Sequence, residues 1–283
     1  MRIPTPCRPI VMILAACAVC APLAGAQQPS HASPTVGRTI EPRAMAVLAK
    51  VERTMIGLKT YQAECYTTGS YYDWNRQPVH ERSEFARLLA AKPNKMHYEF
   101  WELDLDAKTG RWLQETNSFR TIFVCDGRTF WKQFGPDQFG PAYYTFNRMK
   151  PDDMHPFLEP WGGFYTASSS PHSDFENVRK RGELLELRRT GSEKVNGVLC
   201  DKIFAQIDEG NDQGYRETWY VSHDGLVRRE VKQFELNGMP GGLDDAVIRN
   251  IRLNQPIVAS IFTYKPPQGA HGKEVKRRPT PPV

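Results

Sequence analysis

The sequence predicts an α+β protein that is mainly antiparallel β, and three observations carry that expectation. Apolar residues recur at helical spacing in one early stretch, Met45, Leu48, Val51, Met55 and Leu58. After Lys59 the chain changes to runs rich in β-branched and aromatic residues, separated by short polar turns. Two of these runs fold back on themselves at Asp126-Gly127 and Asp224-Gly225, the dipeptide that two-residue hairpin loops favour.

Each element has its own signal. Pro42 suits the first turn of the helix, where its missing N–H costs nothing, and the periodic face ends near Lys59. Strands follow at Gln62 to Tyr72, Glu81 to Ala90, Lys95 to Leu103, the Phe119 to Phe134 hairpin and Tyr143 to Asn147. Asp73-Trp74-Asn75, Lys92-Pro93-Asn94 and Lys108-Thr109-Gly110 turn the chain between them. In the hairpin, a turn centred on Asp126-Gly127 pairs Phe123 with Phe130 and Phe119 with Phe134, so all four rings share one face. That face reads either as ordinary core or as the wall of an apolar cavity. From Pro151 to Pro171 the pattern breaks: Met154, Phe157, Leu158, Trp161, Phe164 and Tyr165 lie among prolines and glycines, which suits a short helix or loop over the sheet. Strands resume at Leu184 to Arg189, Val198 to Ile207, the Tyr215 to Leu236 hairpin, Ala246 to Leu253 and Ile261 to Lys265. Short connections imply antiparallel, mostly sequential pairing.

The first 26 residues have the composition of a secretory signal: Arg2 and Arg8, the apolar run Ile10 to Leu23, and Ala24-Gly25-Ala26 as a cleavage site. Leu14-Ala15-Ala16-Cys17 offers the alternative of a lipoprotein anchored at Cys17. Cleavage after Ala26 is the preferred reading, because a lipoprotein turns polar after its cysteine and this run stays apolar. It leaves 35 basic residues against 32 acidic, a net charge of +3. Basic and acidic residues alternate along most of the chain, so no nucleic-acid footprint is expected. Residues 27–41 and the basic, Pro-rich 271–283 read as disordered flanks of a single domain at 42–270. Cys65, Cys125 and Cys200 remain after cleavage, and the sequence leaves open which pair, if any, is bridged.

Three segments resemble, in order, the LolA/LolB-like superfamily of periplasmic outer-membrane lipoprotein carriers. Lys92-Pro93-Asn94-Lys95-Met96-His97-Tyr98-Glu99-Phe100 resembles its first turn and strand. Val124-Cys125-Asp126-Gly127-Arg128-Thr129-Phe130-Trp131 is similar to its hairpin, and Phe262-Thr263-Tyr264-Lys265-Pro266-Pro267-Gln268-Gly269-Ala270 to its closing strand. The resemblance implies an incomplete (half) β-barrel that wraps a hydrophobic cavity, with an N-terminal amphipathic helix and a helical or loop lid. Lys92 and His97 stand where the family motif carries arginines, and this points to a divergent member. The implied function is a periplasmic binding protein for a lipid or lipoprotein acyl chain; the alternatives are a sensory or scaffolding module that uses the same fold to bind an envelope protein, and, behind it, a small hydrolase. Peripheral membrane contact fits either of the first two.

No G-x-S-x-G, H-E-x-x-H, P-loop or C-x-x-C spacing occurs in the mature chain, so neither an enzyme, a metal nor a cofactor is expected. His97 and Glu99 share a strand face as a candidate acid/base pair, with an outward polar stripe as the simpler reading. Strand alternation groups Met96, Tyr98 and Phe100, then Phe119, Phe123, Phe130 and Phe134, then Trp219 and Val221, each on one strand face; these are taken as the cavity wall, with the opposite, also apolar, set Ile122, Val124 and Trp131 as the alternative, and Phe157, Leu158, Trp161, Phe164 and Tyr165 as the lid. A charge at Phe123 or Phe130 is then expected to abolish uptake of an apolar ligand while the protein still folds.

Overall fold

The computed structural model describes residues 38–72, 78–92, 95–106, 111–114, 120–135, 143–148, 179–180, 182–210, 213–236 and 239–274. Helix α1 (Pro42–Gly57) is followed by a single sheet. Its strands are β1 (Thr39–Ile40), β2 (Thr60–Tyr72), β3 (Pro78–Ala91), β4 (Lys95–Asp106), β5 (Arg111–Gln114), β6 (Arg120–Asp126), β7 (Thr129–Phe134) and β8 (Tyr143–Arg148). The second half adds β9 (Leu184–Val195), β10 (Val198–Gly210), β11 (Gln213–Ser222), β12 (Val227–Leu236), β13 (Met239–Leu253) and β14 (His271–Glu274).

The strand order is β1-β9-β10-β11-β12-β13-β2-β3-β4-β6-β7-β8-β14, with β5 paired to β4 off this path. Pairing is antiparallel except at the two ends, where β1 joins β9 and β14 joins β8 in parallel. Among the described residues β1 and β14 do not meet, so the sheet stays open and forms an incomplete barrel. Strand period two gives it two distinct faces.

The inner face carries α1. Ala44, Leu48 and Val51 are fully buried against Leu184, Leu187, Ile203, Trp219, Val221, Leu226, Ile248 and Tyr61 in one core cluster. Glu41 precedes the helix: its N–H donates to the Leu187 carbonyl, and its carboxylate accepts from the Arg189 N–H at 2.8 Å. At the other end Lys50 Nζ donates to the His223 carbonyl, and Thr54 Oγ1 to that of Asp224 at 3.2 Å. The helix is thus locked over one end of the sheet, where the β6–β7 and β11–β12 turns lie.

Three expectations change, and one question that the sequence leaves open is answered. The first hairpin turns at Gly127-Arg128, one residue later than expected, because Gly127 takes a φ of +95° and the Asp126 carboxylate accepts from the N–H groups of Arg128 and Thr129. Phe123 therefore faces Lys132, and Phe130 faces Cys125. The expected strand at Ile261 to Lys265 is instead a 3₁₀ turn, Ala259–Phe262, followed by irregular chain. Pro256, Pro266 and Pro267 flank it without ladder N–H groups, and the buried Phe262 side chain fixes the segment. Thr39–Ile40 and His271–Glu274 lie in the segments expected to be disordered, yet backbone pairing adds them to the sheet edges. Cys65, Cys125 and Cys200 are all buried free thiols. The expected signal (1–26), the lid residues Phe157, Leu158, Trp161, Phe164 and Tyr165, Phe119, and the tail beyond Glu274 lie outside the described residues.

Candidate functional site

The register of β4, β6 and β7 arranges the expected cavity residues into three cross-strand rows on the inner face. Met96, Cys125 and Phe130 form the row nearest α1; Tyr98, Phe123 and Lys132 the next; Phe100, Thr121 and Phe134 the last. Tyr98 and Phe123 have ring centroids 5.8 Å apart, as do Phe123 and Phe130, within the range of favourable tilted aromatic pairs. Trp219 and Val221 join the same face from β11, so all three groups assigned inward from the alternation point to one side of the sheet.

The rows differ in what they leave available. Phe123 is 1% exposed, and Phe130, Met96 and Tyr98 are also buried in the cluster that holds α1. A charge there disrupts the core, so Phe123→Asp tests folding before it tests ligand uptake. Phe100 and Phe134, farther from the helix, are only half-buried.

Two polar groups interrupt this outer part of the wall, and the sequence reading passed over both. Lys132 Nζ rests on the rings of Phe123 and Phe134, at 5.1 and 4.3 Å from their centroids, and burial depresses its pKa. Thr121 is 1% exposed, and its hydroxyl has no hydrogen-bond partner. The alternation that selected Phe130 and Phe134 also selects Lys132 between them, so its place was readable. The state of Thr121 was not, because it depends on what surrounds the hydroxyl.

Buried acids complete the inner face: Glu217 and Glu230 lie beside Trp219, across β11 and β12. Burial pushes the Cys65 thiol up to about 12 and that of Cys125 to about 11, which keeps both protonated and unreactive at neutral pH.

On the opposite face, His97, Glu99 and Arg120 form a fixed polar group. Glu99 accepts from His97 Nε2 at 2.5 Å and from Arg120 Nη2 at 2.8 Å, while His97 Nδ1 lies 2.8 Å from the Ile261 carbonyl. Burial alone would raise the Glu99 pKa; the hydrogen bonds and charges of His97 and Arg120 outweigh it and hold the carboxyl down to about 2. Both ring nitrogens of His97 thus face oxygen acceptors, which suits a structural clamp on the 259–262 turn better than a proton shuttle. Next to it Tyr264 stacks on Trp131 at 5.1 Å and donates from its hydroxyl to Gln133 Oε1 at 3.0 Å. The closing segment that resembled a strand is therefore a strap over the outer face of β4, β6 and β7.

The chain is similar, at low identity, to several solved structures. LprF from Mycobacterium bovis matches over 79% of this chain and 98% of its own, with 13% identity and a TM-score of 0.41. MucB matches over 80% of this chain and 64% of its own, with 12% identity and a TM-score of 0.43. A putative outer membrane lipoprotein-sorting protein domain from Vibrio parahaemolyticus matches over 78% and 96%, with 8% identity and a TM-score of 0.32. No protein-family model and no curated protein sequence matches the chain.

Proposed function

We propose that the protein is a non-enzymatic envelope binding protein that holds the acyl chain of a lipid or lipoprotein against the inner face of its open sheet. The observation that carries this reading is the convergence of Phe100, Phe134, Lys132 and the unpartnered Thr121 hydroxyl at the part of the aromatic wall farthest from α1. Apolar rings there can cover a chain at a gain of ~0.8 kcal/mol per methylene. The ammonium and hydroxyl stand where a polar head or ester would need partners. Placement in the envelope rests on the signal-like residues 1–26.

Native mass spectrometry of the mature chain, purified from cells and then exposed to laurate, tests the reading. A bound acyl ligand that is lost in Phe134→Ser supports it. A chain that stays empty under both conditions, yet captures an envelope protein through the same face, replaces it with the scaffolding alternative.

A further inference from the structure

The outer face holds a groove that the inner-face reading does not use. Its volume is about 590 Å³, within the range of small-molecule sites. Its floor is a single register row, Val247–Tyr66–Phe85–Trp101, crossing four adjacent strands from β13 to β4. Tyr66 and Phe85 meet edge to face at 4.8 Å, and Phe85 and Trp101 pack tilted at 4.6 Å, so the row is one continuous aromatic strip ~14 Å across.

The two flanking rows set the polarity. On one side are Arg249, Glu64 and Arg87. The Glu64 carboxylate is already engaged, by Arg87 at 3.3 Å and by the Asn250 amide at 2.6 Å. Arg249 lies over Tyr66, 5.3 Å from its centroid, and has no carboxylate partner among the described residues. On the other side Asp245 accepts from Arg229 Nε and Nη2, at 2.8 and 2.6 Å, which neutralises the only acid of the lining among the described residues. Ser83, cross-strand from Thr68, is 4% exposed and its hydroxyl has no partner. The groove therefore combines a greasy floor with one guanidinium that no carboxylate engages among the described residues.

We propose that this groove is a second binding site, separate from the inner face, for a long-chain carboxylate: the alkyl chain lies along the Val247–Trp101 row and the carboxylate meets Arg249. A planar carboxylate matches the guanidinium fork, and the neutralised Asp245 offers it no repulsion. An acidic peptide would match the charge but waste a floor made for one uninterrupted apolar chain.

The test uses the full mature chain with laurate, its uncharged counterpart dodecanol, and a diazirine-bearing fatty acid whose crosslinks are located residue by residue. Laurate is expected to bind at two sites, with crosslinks at Val247, Phe85 or Trp101 as well as on the inner rows. Arg249→Glu, an exposed position that leaves the melting temperature unchanged, should weaken the groove site by about three- to tenfold and remove only its crosslinks. Unchanged affinity in Arg249→Glu, equal filling of the groove by dodecanol, or crosslinks confined to Phe100, Phe123 and Phe134 would each overturn the inference. Crosslinks confined to the groove would instead leave it standing and remove the inner-face reading.

Discussion

Replacing Thr121 with valine is expected to make the protein more stable and a worse binder. The side chain is almost fully buried on the inner face between Phe100 and Phe134, and its hydroxyl has no partner. An orphaned buried hydroxyl carries a desolvation cost of about 1–3 kcal/mol, which a methyl of nearly the same shape does not. Valine keeps the β-branch, so strand propensity and χ1 freedom barely change. The variant should gain about 1 kcal/mol or more, read as a higher urea midpoint at unchanged slope and a melting temperature raised by about 2–4 °C. If the hydroxyl is retained for a ligand, laurate affinity at the inner face falls in the same variant while dodecane-like probes bind as before. A Thr121→Val protein less stable than wild type by 1 kcal/mol would show that the hydroxyl has a partner, and the reasoning would fail at its first step.

Other consequences follow from single contacts. Glu99 has a folded-state pKa of about 2 against an ordinary 4.5, so its contribution is present above pH 4.5 and is lost as pH falls toward 2. Glu99→Gln should cost up to about 3 kcal/mol at pH 7, and its stability curve should converge with that of wild type between pH 4.5 and 2; parallel curves would refute the clamp. Gly225 has a φ of +79° and a Cβ there would meet Thr54 Oγ1 at 2.4 Å, whereas Gly197, at +81°, has open space. Gly225→Ala should therefore cost clearly more than the ~1 kcal/mol of backbone strain expected for Gly197→Ala, and hydrogen exchange in α1 should rise in the former alone. Phe123→Asp should fail to give a cooperative thermal transition, while Phe134→Ser folds and loses laurate. Thiol labelling with peptide mapping should find Cys65, Cys125 and Cys200 all unmodified in the native state and all modified in urea.

The faces of the sheet were readable from the sequence because alternation is local. Met96, Tyr98 and Phe100 share one face of β4, and Phe123 and Phe130 one face of the hairpin, whatever the fold does at a distance; that the two faces coincide needed the β4–β6 register. Placing the turn on Asp126-Gly127 rather than Gly127-Arg128 moved the register by two in the cross-strand sum, which preserved the faces but replaced the Phe123–Phe130 pair with Phe123–Lys132. That distinction needed the Asp126 side chain, whose hydrogen bonds to Arg128 and Thr129 cannot be read from the dipeptide. Phe262 and Tyr264 looked like strand residues because they alternate, and they do pack in sequence against the sheet, but through side chains alone. The outer groove was invisible for another reason: its floor row draws on residues from 66 to 247, and only the β13–β2 pairing brings them together.

That same pairing governs how the chain can reach its native state. β2 lies between β3 and β13, so residues 60–72 wait for a partner that is synthesised some 180 positions later. Until β13 arrives, one long edge of β2 is bare and the Tyr66–Phe85–Trp101 strip is only partly shielded. A chain truncated before Met239 should therefore aggregate rather than persist as a smaller sheet, and refolding should pass through a slow, concentration-sensitive phase. A cell that makes this protein has to protect its first half from neighbouring chains until its last third is complete.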